Sequence, residues 1–472
     1  MDFFWAAILF IASAVFLIFI LILVVIVKIY SGKSIGNPNY PPVQGTVFHL
    51  LFNFNKLYDY LTEIARKHPT FRVLSPDQSD VYTTDVRNIQ HILKTKFDTY
   101  TKGKYDRDIL EDLSGEGIFA VDGDKWRQQR KIASFEFSAR VLRDFSCAVF
   151  RISAAKLVRI ISANYIFDIH DMLMRCTLDS IFKVGFGVDM NCLEGSSKEG
   201  IEFMKAFDDA NALVYWRYVD PLWKLRRALN IGSEATLKKN IKVMDAFVNG
   251  VITTKRKQLA EQQDSIVKED ILSRFIEASK KEPDQMTDQY LRDIILNFMI
   301  ADDEINIDDF VDRISDEILD KMHYLHSALT ETLRLYPGVP VDGRTTQEDD
   351  VLPDGYKVKK GETVNYLAYT MGRMPYIWGD DADEFRPERW LDQNGVFQQE
   401  SPFKFIAFHA GPRICLGKDF AYRQMKIVSI ALLRLFRFRL GDETRKVTYR
   451  TMFTLHVDGG LHVQALPRVA MC

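Results

Sequence analysis

Phe408-His409-Ala410-Gly411-Pro412-Arg413-Ile414-Cys415-Leu416-Gly417 runs directly into Lys418 to Phe436, a strongly periodic segment of the 472-residue chain. Glycines on either side permit a tight backbone loop that a β-carbon would obstruct. Cys415 then falls at or near a helix N-terminus, where unpaired N–H groups and the helix dipole favour a thiolate. Arg413 adds a permanent cation able to hold a carboxylate. A cysteine by itself is more often a small apolar filler than a ligand. The loop as a whole points the other way.

It resembles the haem-binding loop of cytochromes P450, F-x-x-G-x-R-x-C-x-G, and every fixed position is filled. The resemblance implies haem b as cofactor and Cys415 as the proximal thiolate on its iron. Phe408 would pack on the sulfur side, and Arg413 would pair with a haem propionate. In that class the thiolate pushes electron density towards the iron and favours O–O cleavage.

Three further motifs lie in the order the family has them. Glu331-Thr332-Leu333-Arg334 matches E-x-x-R, whose spacing sets acid and base on one helix face. Phe385-Arg386-Pro387-Glu388-Arg389-Trp390 resembles the family's later Pro-Glu-Arg segment, so Arg389 would complete a buried cluster with Glu331 and Arg334. Trp126-Arg127-Gln128-Gln129-Arg130 matches W-x-x-x-R, which implies that Trp126 and Arg130 reach haem propionates. Arg344, just after Val339-Pro340-Val341, fits another propionate-binding arginine.

A narrower likeness joins Gly115-Glu116-Gly117-Ile118-Phe119, Asp122-Gly123-Asp124-Lys125-Trp126 and the run from Gly411 to Ala421. These look like plant P450s that hydroxylate the ω-end of fatty acids. The likeness implies a long-chain fatty acid substrate, O2, an NADPH-cytochrome P450 reductase as electron donor and an endoplasmic reticulum location.

The pattern breaks once. The family's central helix crosses the haem and carries A-G-x-[D/E]-T-[T/S]. Here it begins well, from Leu291 to Ala301, and then reads Asp302-Asp303-Glu304-Ile305-Asn306 without the glycine or the threonine pair. No oxygen-activating catalytic residue is therefore identified. The chain is expected to lack about 35–40 residues near 301–302, most of a long helix at 1.5 Å per residue. Asp302, Asp303 and Glu304 read as a solvated acidic loop. They do not form a calcium loop, which needs a glycine and a terminal Glu. His323 and His326 at i, i+3 lack a third ligand and read as ordinary helix residues. Three functions stay open: a monooxygenase, an impaired or inactive truncated relative, and a peroxide-using isomerase or lyase. The regular cysteine loop counts against the last.

Composition agrees with a large enzyme. The chain is 47% apolar and 27% charged, which excludes a disordered protein or a disulfide-stapled miniature. With 62 basic against 64 acidic side chains there is no basic surface for nucleic acid. Five scattered cysteines with no C-x-x-C pair make neither a disulfide framework nor a zinc site. No N-x-S/T acceptor occurs, which favours a cytosolic body.

Phe3 to Val27 carries no charge. As a helix it spans about 37 Å, enough for a bilayer core of about 30 Å. Lys28 and Lys33 follow it, so the positive-inside rule leaves the body in the cytosol. The expected organisation is a transmembrane signal anchor over 1–30, a proline-bearing linker over 31–45 and a haem-thiolate catalytic domain over 46–472. The fold class expected is mainly α with small β portions, a cytochrome P450-like α+β fold behind a single N-terminal membrane helix. Within it the pattern predicts a helix over Ile318–Tyr336, a loop around Gly232–Ser233, and a hairpin turning at Asp458-Gly459-Gly460.

Overall fold

The computed structural model describes residues 2–76, 79–138, 140–164, 166–261 and 316–468, with 272, 276, 288 and 291–293. The principal helices are α1 (Asp2–Tyr30), α2 (Leu57–Lys67), α3 (Gly103–Ser114), α4 (Gly123–Ser138) and α5 (Arg140–Ala163). After them come α6 (Ile169–Phe186), α7 (Lys198–Trp216), α8 (Gly232–Glu261), α9 (His323–Leu335) and α10 (Lys418–Leu435). The expected segment 302–304 lies outside the described residues.

Helix packing follows from apolar spacing. Phe203, Phe207, Ala210 and Val214 fall on one face of α7 and meet Leu237, Met244, Val248 and Val251 of α8. Phe150, Ala154, Leu157 and Ile161 of α5 bury against Ile427, Ala431 and Leu432 of α10 in the same way. Phe420 meets Phe150 edge-on, ring centres 4.7 Å apart. Each of the larger side chains among them, Phe, Leu, Ile, Met or Val, contributes roughly 1.5–3 kcal/mol on leaving water. The packed helix that follows the cysteine loop is thereby fixed in place.

Strands β1 (Val43–Thr46), β2 (Thr70–Leu74), β3 (Ser79–Thr83), β4 (Tyr100–Thr101), β5 (Ile166–Asp168), β6 (Asp342–Thr346), β7 (Asp350–Val351) and β8 (Lys357–Val358) are followed by β9 (Thr363–Tyr366). The larger sheet runs β1-β2-β3-β9-β6-β4. Beyond α10 come β10 (Phe436–Leu440), β11 (Tyr449–Arg450), β12 (His456–Val457) and β13 (His462–Pro467). A second sheet has the order β10-β13-β5.

Three sequence expectations are corrected. The helix over Ile318–Tyr336 is broken at Met322, between Asp316–Lys321 and α9. Lys426 Nζ donates to the Leu319 carbonyl at 2.6 Å, and the Met322 N–H also turns back to it. That carbonyl is the one a continuous helix would offer to His323. Gly232–Ser233 opens α8 rather than forming a loop. The hairpin pairs β11 with β12, so its turn lies within 451–455. Asp458-Gly459-Gly460 instead sends the chain across to β13, which pairs with β10 and β5. Gly460, at φ +76°, is required there because a β-carbon would strike the Asp168 carboxylate. Asp168 caps α6 through His170 and Asp171 N–H and also accepts from Leu461 N–H at 2.8 Å.

By length and composition α1 holds the one described helix able to cross a membrane, Ala12–Tyr30. Its last turn is docked: Ile29 is buried with Val47 and Leu74. The segment after it is clamped by Arg72 of β2, which donates to the carbonyls of Pro41 at 2.8 Å, Lys33 at 2.8 Å and Ser34 at 3.3 Å.

Candidate functional site

The cysteine loop is shaped by two backbone positions. Gly411 has φ +66°, and a β-carbon there would run into the Leu93 carbonyl of the helical turn His91–Thr95. His409 has φ +59°, a conformation that L side chains rarely hold. The loop closes where Cys415 N–H donates to the Phe408 carbonyl at 2.8 Å. Cys415 is exposed, two residues ahead of the Gly417 that precedes α10. Cys147, Cys176 and Cys192 are buried. Burial, with Asp179 beside it, pushes the Cys192 thiol up to about 12, the opposite of what a thiolate ligand needs.

Trp126 and Arg130 lie four apart on α4, on one face, and both meet this loop. Arg130 Nη2 donates to the Ile414 carbonyl at 2.5 Å. Burial lowers the Arg130 pKa, and the neighbouring Cys415 pulls the other way by favouring its charge. The Arg413 guanidinium stacks over the Trp126 ring, 4.5 Å from its centre. Arg413 also donates to Asp122 at 2.7 Å and to the Val121 and Ile118 carbonyls at 2.9 and 3.3 Å.

Arg344, on β6, is 1% exposed and donates to Asp342 at 2.9 Å. Asp342 also accepts from Lys102 Nζ at 2.8 Å, Tyr366 OH at 2.7 Å and the Gly343 N–H at 2.8 Å. His409 Nε2 lies 3.0 Å from the same carboxylate. Burial alone would raise the Asp342 pKa, but Arg344, Lys102 and His409 together hold it well below the usual carboxylate range. Burial, and then the charge of Arg344, push Lys102 down to about 8 and Arg413 down to about 10. Asp106 of α3, buried close to these cations, is pushed up to about 6 by desolvation.

This cluster tests whether the residues suit a haem. The charge of Arg344 lowers both Lys102 and Arg413, while Asp342 keeps Arg344 itself firmly charged, and Arg344 Nε is buried without an acceptor among the described residues. A shielded donor left unmatched costs about 1–3 kcal/mol. An acid-bearing group would relieve both the crowding and the orphaned donor, and haem b carries two propionates. Trp126, Arg130, Arg344, Arg413 and Cys415 converge on one region, and its chemistry fits that group.

Behind the loop, Phe408 packs on Tyr422 of α10 with ring centres 5.3 Å apart, and Tyr422 OH is 2.9 Å from Thr330 Oγ1 of α9. One residue on, Glu331 is 0% exposed and accepts from Arg334 Nε at 2.7 Å, Arg389 Nε at 2.8 Å and Trp390 Nε1 at 2.9 Å. His326 stacks on Tyr422 instead of facing a metal, and no metal-ligand cluster occurs among the described residues. Sequence reasoning did not single out Asp342, Lys102 or His409. No spacing links residues 102, 342 and 409; only the fold does.

Comparison with known proteins agrees with this arrangement. A sequence model of the family described as cytochrome P450 matches residues 37–302 and 306–462. Cytochrome P450 704C1 of Pinus taeda is 49% identical, over 91% of this chain and 93% of that protein. Cytochrome P450 704B1 of Arabidopsis thaliana is 42% identical over 92% and 95%. Cytochrome P450 86B1 of the same plant is 36% identical over 96% and 89%. The pine alignment spans 482 positions, more than the 472 residues of this chain, so part of the relative faces no residue here.

Proposed function

The chain belongs to the cytochrome P450 family, and on that footing we propose that it is a membrane-anchored monooxygenase hydroxylating long-chain fatty acids, with Cys415 as the thiolate ligand of its haem. Haem with a cysteine thiolate axial ligand is the cofactor of the family. Bound here, it supplies the oxygen activation and C–H oxidation that side chains alone do not perform. Arg413, Arg344, Arg130 and Trp126 would hold the cofactor's acid groups, while the Phe408 carbonyl fixes the backbone of Cys415.

What carries the reading is the meeting of an exposed cysteine with several buried or half-buried cations, one of which keeps an unmatched donor. The fatty-acid assignment rests on the likeness of the 115–126 and 411–421 segments to plant ω-hydroxylases. The domain division 1–30, 31–45 and 46–472 belongs to the same proposal. So do an NADPH-cytochrome P450 reductase as electron donor and an endoplasmic reticulum anchor with the body in the cytosol.

A second reading, a chain that binds haem yet turns over poorly, is favoured by one observation. The family match is interrupted between 302 and 306, where the acid–alcohol pair of the central helix is expected. The carbon monoxide difference spectrum of the reduced, membrane-expressed protein tests the first part. A red-shifted, thiolate-type Soret band is expected, with its loss in Cys415→Ser; a wild-type band in that variant overturns the assignment. Fatty-acid turnover with reductase then separates the readings. A good band without product supports the impaired chain, and product formation excludes it.

A further inference from the structure

Among the described residues four non-glycine side chains hold positive φ: Ser34, Asn191, Asn230 and His409. Asparagine adopts that conformation most readily of the three types, and histidine, though enriched there over other side chains, still holds it only uncommonly. His409 therefore needs something to hold it, and two contacts do. Its Nε2 is 3.0 Å from Asp342 Oδ2, and its ring stands edge-on to Tyr366 at 6.1 Å. Asp342 is paired across the sheet with Tyr366, in register between β6 and β9, so the acceptor sits on a rigid platform. An ionised carboxylate only accepts, so Nε2 carries the proton, in either charge state of the ring. On the other side, His409 directly follows Phe408, whose carbonyl receives the Cys415 N–H.

We propose that the Asp342–His409 hydrogen bond is the brace that keeps the cysteine loop in register against the sheet and so aims Cys415. The inference rests on the haem-thiolate reading of Cys415 and adds two positioning residues to it. The same carboxylate holds Lys102 and Arg344, so one group sets both the ligand loop and Arg344, a cation that would meet the cofactor's acid groups.

The test uses the full-length chain with three substitutions. His409→Gln keeps a donor of comparable reach. His409→Asn suits the left-handed backbone but is too short to reach Asp342. Asp342→Asn weakens the acceptor. Two quantities are read: the share of thiolate-type Soret band in the reduced carbon monoxide spectrum, and the rate of Cys415 alkylation by iodoacetamide, mapped by mass spectrometry. With the brace, His409→Asn and Asp342→Asn lose at least half of the thiolate band and alkylate at least threefold faster, while His409→Gln stays within twofold of wild type. His409→Asn matching wild type on both counts overturns the brace, because backbone tolerance alone would then suffice. If the wild type itself shows no thiolate band, the haem reading fails, and the alkylation ratios still decide whether the loop is braced.

Discussion

Glu331 and Arg334, one helical turn apart on α9, face each other through two hydrogen bonds of 2.7 and 2.8 Å. Arg334 spends its remaining donors on the carbonyls of Gly372, Ala382 and Glu384. Arg389 reaches the same carboxylate and the Trp378 and Asp381 carbonyls. The cluster stitches α9 to the segment 372–390, which no regular ladder connects.

Replacing Glu331 by Gln leaves two buried guanidinium groups without their anion. A loss of about 3–5 kcal/mol is expected, a large share of the stability of any domain. Thr332→Ala, at the exposed neighbour, should cost under about 0.5 kcal/mol. Denaturation midpoints of the two variants check the contrast, and equal midpoints would contradict it. Acid acts on the same group. Burial opposes its charge, but Arg334, Arg386 N–H, Arg389 and Trp390 more than offset that and hold the Glu331 pKa below 4.5. Its contribution is thus complete above about pH 4.5 and fades as pH falls further.

His326 gives a slope of different origin. Burial, with Lys426 and Lys418 nearby, pushes its pKa down to about 4. The unfolded chain takes up the proton near pH 6.5 and the folded one does not, so stability falls between about pH 6.5 and 4. His326→Phe keeps the contacts to Tyr422 and Phe397 and removes the proton site. Between pH 7.5 and 5.5 the wild type should lose about 1 kcal/mol more than this variant. Parallel pH curves would refute the buried neutral histidine.

Gly411→Ala places a methyl group against the Leu93 carbonyl at a backbone angle that alanine disfavours. Strain of about 1–3 kcal/mol falls on the cysteine loop itself. Haem bound per chain should drop severalfold while the far-ultraviolet dichroism stays unchanged. Full haem content would show that the loop tolerates the displacement.

These cases show which features were legible beforehand. The Glu331–Arg334 contact follows from i, i+3 spacing, and the tight turn at Gly411 from glycine chemistry; both are local. Asp342 escaped notice because it is a single acid in an unremarkable Val341-Asp342-Gly343 run. Its importance comes from residues 102, 366 and 409, brought to it by three separate elements. The misassigned hairpin has the same cause. Asp458-Gly459-Gly460 is a true turn, but the partner of the strand after it, β10, lies more than twenty residues upstream. The break at Met322 depends on Lys426, a side chain about a hundred residues away.

Arg72 joins two parts of the molecule that the sequence would leave loosely tethered. A free chain of the length of segment 31–41 would let its ends wander roughly 18 Å apart. Instead three of its carbonyls are held by one buried guanidinium, Lys359 Nζ meets Ser34 Oγ at 3.1 Å, and Lys357 N–H takes the Asn39 carbonyl. The long helix is thus a mast stepped into the hull rather than a mooring line. A lean of that helix would bear on the sheet that carries Arg72, the same sheet in which β6 holds Asp342.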